Sequence, residues 1–333
     1  MSETASGVGG TASDDGRAAW FAGRFEALSD GVSHVIRGKR EVIELSLICL
    51  FAEGHLLIED VPGVGKTSLA RAIATSIDAS FHRIQFTPDL LPTDVTGVTV
   101  YRQESGQFVF HKGPVFANIV VADEINRASP KTQSALLEVM EERQVTVDSV
   151  SYQVGRPFLV IATQNPIELE GTYRLPEAQI DRFLMRVSVG YPSLAAEQDI
   201  VAMSEAGSPL AALSPVMTLD EVRGMLEAVE AVHVHPTLVT YMAQLAAATR
   251  TLAELRLGVS PRGTVALMRA ARARAAAAGR VWVIPEDVKA VLPAVFGHRM
   301  LLSPEAELRS VTTDEILQRV MGQVPVPRTA AVG

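Results

Sequence analysis

One short stretch limits the possible folds more than any other: the apolar run HLLIED at 55–60 passes through the turn VPGVGKTS into the helical segment SLARAIATSI. Glycines in such a turn allow a backbone curl whose N–H groups point inward, and the following helix adds the positive end of its dipole. Strand, curl and helix in this order cradle phosphate oxygens. Pro62, Gly63, Val64, Gly65, Lys66, Thr67 and Ser68 are therefore the candidate nucleotide-binding residues. Lys66 would pair with the β and γ phosphates, and Thr67 would ligate Mg²⁺. The general pattern GxxxxGK[ST] asks for glycine at position 60, where this chain carries Asp60.

Further short apolar strands are expected at FHRIQF (81–86), NIVVAD (118–123), FLVIAT (158–163) and FLMRVSV (183–189), with helical stretches between them. Such alternation predicts a parallel sheet covered by helices on both faces. Two segments break the rhythm. Residues 96–113 and 143–156 alternate apolar and polar side chains around a turn, so each reads as an inserted hairpin. Past Tyr191-Pro192 the strand signals fade, while TLDE at 218–221 matches a capping box and Pro285 suits a first helical turn. The expected organisation is a flexible tail over 1–17, an α/β domain over 18–192, a helical domain over 193–325 and a flexible tail over 326–333.

Length and charge narrow the function. A chain of 333 residues holds about two domains with ample core. With 30 basic against 38 acidic residues the net charge is −8, and no long basic run occurs, which disfavours broad electrostatic binding to nucleic acid. Cys49 is the only cysteine, so neither a disulfide framework nor a multi-thiolate zinc site can be assembled, and a reducing cytoplasm fits. The first sixteen residues lack a basic start and an apolar core, so they read as a tail and not as a secretory signal. The window VIELSLICLFAEG is cut by Glu44 and Ser46, well short of the roughly 18 apolar residues that a membrane helix needs.

Two more strand ends carry candidate chemistry. NIVVAD closes on Asp123-Glu124. A carboxylate at the end of a buried strand is costly unless a cation meets it, so Asp123 is the candidate Mg²⁺-side acid together with Thr67. Glu124, one residue on, could polarise an attacking water as a base. FLVIATQNP places Asn165 after a strand and before a proline, where a neutral amide can orient water beside a γ-phosphate without adding charge.

DVPGVGKT, VVADEINRASPKTQSALLEVMEERQVTV, ATQNPIELEGTYRLPEAQIDRF and GVSPRGTVAL together resemble the MoxR family of AAA+ ATPases, over roughly residues 30–300. That family commonly writes its phosphate loop as VPGxGKT without the first glycine, which accommodates Asp60. The resemblance implies an α/β P-loop NTPase fold of the AAA+ type: a parallel sheet sandwiched by helices, hairpin insertions and a C-terminal all-α lid. It implies ATP and Mg²⁺ as cofactors. It further implies that Arg182, in LPEAQIDRF, reaches a neighbouring subunit as an arginine finger, and that Arg262, in SPRGT, is the second domain's sensor on the same nucleotide. A fixed, always-charged guanidinium suits both tasks. Arg127 and Arg143 are further candidates at the subunit boundary.

The partners implied are copies of the same chain in a ring, expected to be a hexamer, a protein bearing a von Willebrand factor A domain, and a client protein complex that the ring matures or activates. Neither nucleic acid nor membrane insertion is expected, and the compartment is the cytoplasm. Three rivals remain at this stage: the ATPase subunit of a metal chelatase, which the core motifs allow, a nucleotide-binding switch that hardly turns over, against which Glu124 and Arg182 argue, and a nucleic-acid motor. A motor would want positive charge on its pore hairpin, whereas 143–156 carries Arg143 and Arg156 only at its base and Asp148 near its tip. His233 and His235 imitate a metal pair without a third ligand at matching spacing. Tyr101, Phe108 and Phe110 suit a partner surface or simple hairpin packing equally.

Overall fold

The computed structural model describes residues 11–165, 172–206 and 209–327. It divides into two compact units, Leu28–Arg223 and Met1–Ala27 together with Gly224–Gly333.

The larger unit begins in the C-terminal end of helix α1 (Thr11–Ser33), from Leu28 on, followed by α2 (Arg40–Phe51) and strand β1 (Leu56–Glu59). Helix α3 (Lys66–Ser76), β2 (Phe81–Gln85) and α4 (Pro92–Thr96) lead to the hairpin β3 (Gly97–Arg102) and β4 (Gln107–Lys112). Next come β5 (Ile119–Asp123), α5 (Pro130–Glu142) and a second hairpin, β6 (Gln144–Val147) and β7 (Val150–Gln153). The unit continues through β8 (Leu159–Gln164), α6 (Glu177–Ile180), β9 (Met185–Val187) and α7 (Leu194–Ala206).

Five strands form one sheet in the order β2-β5-β8-β1-β9, and every neighbouring pair is parallel. All five residues of β5 are buried, and so are the first five of β8. Such continuous apolar runs suit central strands packed on both faces. Leu69, Ala70 and Ile73 of α3 and Leu136, Leu137 and Met140 of α5 supply buried helical stripes. Register sets the site: Gln85 lies opposite Asp123, Ala122 opposite Ala162, and Glu59 opposite Gln164. The ends of β1, β2, β5 and β8 thus share the carboxyl edge, where open α/β sheets bind their ligands.

Both hairpins form as expected. Asp148 and Ser149 have φ of 50° and 67°, the left-handed pair that a two-residue turn with matching twist requires. The hairpins touch through Phe110 and Tyr152, whose rings stack at 4.4 Å. Phe110 also packs against Phe116, while Tyr101 and Phe108 face each other at 5.1 Å and stay exposed.

The smaller unit contains most of α1, up to Ala27, most of α8 (Leu219–Glu230), α9 (Pro236–Thr249), α10 (Pro261–Ala277), α11 (Pro285–Phe296), α12 (Pro304–Leu308) and α13 (Thr313–Gln323). The expected caps are present: Thr218 and Glu221 exchange hydrogen bonds before α8, and Pro285 opens α11. His235 caps α9 through the Thr237 N–H. This helical unit also holds one short antiparallel pair, Leu255–Leu257 with Leu301–Leu302.

The limits differ from those read in the sequence. Helix α1 starts at Thr11, inside the span expected as a tail to residue 17, because a buried stripe of Ala18, Phe21, Phe25 and Leu28 anchors it. Up to Ala27 it belongs to the helical unit, where Arg17 pairs with Glu227 at 3.8 Å and Trp20 packs beside Gly224. The α/β unit in turn runs on past 192 to Arg223. Residues 1–10 and 328–333, which hold most of the expected tails, lie outside the described residues. No described helix is long and apolar enough to cross a membrane.

Candidate functional site

The turn between β1 and α3 puts Gly63 at φ +85° and Gly65 at φ +91°. A side chain in that conformation is strained, so glycine is required by the backbone. Nothing lies within 4 Å of where a Cβ on Gly63 would stand, so the curl opens onto free space. The first turn of α3 carries N–H groups without intrahelical acceptors, and Gly65 at the N-cap has no side chain to satisfy them. An anion fits there by charge, donor supply and room. Lys66, half-buried, donates from Nζ to the Asp60 carbonyl at 2.8 Å. Thr67 is half-buried in the same turn; Pro62 and Ser68 are exposed.

Asp60 does not stand in for a glycine: its φ is not among the positive values. Its buried carboxylate accepts from the Val61 N–H at 2.9 Å, the Ser188 hydroxyl at 2.9 Å and the Gly190 N–H at 2.5 Å. Burial pushes this carboxyl up, but the Gly190, Ser188 and Val61 donors outweigh it and hold it below the usual Asp range. The residue that broke the sequence pattern thereby ties the start of the phosphate turn to the end of β9.

Asp123 closes β5 with one oxygen on the Thr163 hydroxyl at 2.5 Å and the other on Arg83, at 3.0 Å from Nε and 2.6 Å from Nη2. Glu124 adopts a left-handed φ of 55°. Its Oε2 accepts from Gln85 at 2.8 Å and from Arg127 at 2.9 Å, and its N–H donates to the Thr163 hydroxyl. Asn165 sits half-buried one residue past β8. The fold therefore brings Gly63 to Thr67, Asp123, Glu124 and Asn165 to one edge of one sheet.

The arginines divide. Arg182 follows α6, one-third exposed, and pairs with Glu141 of α5 at 3.1 Å. It borders a polar cleft of about 530 Å³ with Ser134, Glu138, Glu142, Gln144 and Gln179. Arg127 is engaged by Glu124. Arg143 is held within the chain: it and Arg156, at the two ends of the second hairpin, share the carboxylate of Glu53 at 2.6 and 2.8 Å. Burial raises the Glu53 carboxyl, but the hydrogen bonds from Arg143 and Arg156 prevail and hold it below the usual Glu range. Arg262 is exposed at the head of α10, whose N-cap is Ser260.

Arg83, Gln85, Thr163 and the anchoring role of Asp60 were missed by sequence reasoning. The available signal was Arg83 and Gln85 spaced two apart in FHRIQF, polar residues on one face of an apolar strand.

Residues 55–185 match a family described as "ATPase family associated with various cellular activities (AAA)", and residues 247–320 match "AAA lid domain". The chain is 48% identical over 303 residues to the uncharacterized protein YeaC of Bacillus subtilis, covering 90% of this chain and 95% of that one. It is 41% identical to Chaperone MoxR1 of Mycobacterium tuberculosis, over 90% of this chain and 82% of the relative. A crystal structure of a Cytophaga hutchinsonii protein, described as a candidate ATPase, superposes with a TM-score of 0.88 at 37% identity, covering 95% of this chain and 99% of that one.

Proposed function

The chain belongs to the MoxR family of AAA ATPases, and from that premise we propose a Mg²⁺-dependent ATP hydrolase that works as a homo-oligomeric ring and remodels client protein complexes. The observation that carries this reading is the open glycine curl at the head of α3, on the same sheet edge as Asp123 and Glu124.

Mg²⁺ bound with ATP would supply positive charge against the negative charge of the phosphates. The chain's own groups do the rest. Backbone N–H groups of Gly63 to Lys66 receive phosphate oxygens, and the Lys66 ammonium exchanges the Asp60 carbonyl for the β and γ phosphates. The Thr67 hydroxyl and Asp123 carboxylate would hold the metal. Glu124 accepts a proton from the water whose oxygen adds to the γ-phosphorus as the bond to the β-phosphate oxygen breaks. Asn165 orients that water. Arg262 carries the sensor role that the family assigns to SPRGT.

Arg182 acts in the neighbouring subunit. Its ion pair with Glu141 is about one-third exposed on both sides, so it is worth at most about 1 kcal/mol and is readily exchanged for a phosphate. A ring, six-membered in this reading, is what lets each subunit complete the next. The relative named a chaperone supports a client of protein nature, with a von Willebrand factor A protein as co-partner, in the cytoplasm. The second hairpin supports this over a nucleic-acid client, because the guanidinia at its base are engaged by Glu53 and its tip carries Asp148.

The test separates binding from hydrolysis. Lys66→Ala should lose ADP and ATP binding, while Glu124→Gln should keep binding and lose turnover by a factor of about 10² or more. Equal loss of affinity in both variants would remove Glu124 from the catalytic role.

A further inference from the structure

An unpaired carboxylate at the end of a buried strand is costly, and in this structure a side chain already meets it. Arg83, on the edge strand β2, grips Asp123 Oδ2 through both Nε and Nη2. The other oxygen of Asp123 takes the Thr163 hydroxyl, so both are engaged. The Arg83 side chain is 50% exposed and that of Asp123 only 12%. The arginine can therefore swing into solvent, while the carboxylate cannot.

We propose that Arg83 is a resident counterion of the metal-side carboxylate, holding Asp123 until a divalent cation displaces it. The proposal rests on the reading of this edge as a Mg²⁺-nucleotide site. A guanidinium on Asp123 opposes a divalent cation twice, by occupying lone pairs and by repelling its charge. The same Nη2 also donates to Gln85 Oε1 at 2.7 Å, and Gln85 Nε2 donates to Glu124. Displacing Arg83 therefore also removes a contact that fixes the amide holding Glu124.

Mn²⁺ reports the competition without reference to turnover. Its free electron-paramagnetic-resonance signal would be titrated against full-length protein at saturating ADP, for wild type, Arg83→Ala, Arg83→Gln and Gln85→Ala. Loss of one charge-assisted contact corresponds to about tenfold in affinity, so both Arg83 variants should bind Mn²⁺ about tenfold more tightly. Gln85→Ala leaves Arg83 on Asp123 and should bind Mn²⁺ as the wild type does. Arg83→Gln keeps length and polarity, which covers the case in which the alanine variant folds poorly. Unchanged or weaker Mn²⁺ binding in the folded Arg83 variants overturns the proposal. An equal gain in Gln85→Ala overturns it too, because loosening of β2 would then be the cause. A wild type that binds no ADP with or without metal sinks the nucleotide reading itself, and the counterion proposal falls with it; that result is distinct from unaltered affinity in the variants.

Discussion

Replacing Asp60 by the glycine that the general phosphate-loop pattern asks for should harm this protein. The carboxylate accepts three hydrogen bonds, from Val61, Ser188 and Gly190. The first is local and needs no fold to form; the other two exist only in the fold. Hydrogen bonds to charged groups are worth about 1.5–3 kcal/mol each and are not additive, so together they contribute about 3 kcal/mol. Glycine adds roughly 0.5–1 kcal/mol of backbone entropy without any positive φ to justify it. Asp60→Gly should therefore cost about 3–4 kcal/mol, and in a unit of this size the midpoint should fall by roughly 10 °C. Asp60→Asn keeps an acceptor oxygen and should lose about half as much. The sign of the pH dependence is set by the lowered carboxyl: its stabilisation is complete above the ordinary Asp value of 3.8 and is lost as pH falls toward the depressed native value. The gap between wild type and Asp60→Asn should thus be full at neutral pH and close only in strong acid. Thermal unfolding followed by circular dichroism, with fluorescent ADP titrations in parallel, measures both consequences. A glycine variant as stable as the wild type, or one that binds ADP more tightly, would refute the anchoring account.

Arg182→Ala and Glu124→Gln proteins, each nearly inactive, should regain part of the ATPase rate when mixed, because some interfaces then pair an intact Glu124 with an intact Arg182; a dead mixture of exchanging subunits places Arg182 in its own subunit. Glu53→Gln should lower the unfolding midpoint by roughly 4–8 °C, from about 2 kcal/mol of lost pairing with two guanidinia, and speed limited proteolysis at residues 144–153. Because the Glu53 carboxyl is held below the ordinary 4.5, that loss should be complete at neutral pH and fade in acid; an unmoved midpoint would contradict the clamp. Gly63→Ala meets no neighbour within 4 Å, so its cost should be about 1 kcal/mol of backbone strain; a much larger loss of stability would mean that the curl is not open.

What the sequence by itself determined is what depends on neighbours along the chain. The apolar runs at 56–59, 119–123 and 159–164 become strands because they are short, apolar and bounded by turns, and the glycine curl follows from residues that touch one another. The capping box at 218–221 and both hairpins are local in the same way. Only the tertiary structure decided which strands lie side by side, and with that every charge pair that crosses the sheet. Asp60 reads as a missing glycine until β9 arrives beside β1 and brings Ser188 and Gly190, 128 and 130 residues on. Arg83 reads as one polar residue in a strand until the order β2-β5 sets it against Asp123, 40 residues away. Helix α1 carries one uninterrupted apolar stripe, yet the helix is divided between the two compact units at Ala27 and Leu28. Periodicity records which face of an element is buried, whereas lateral order and long-range pairing come from packing all the faces at once, which no window of sequence contains.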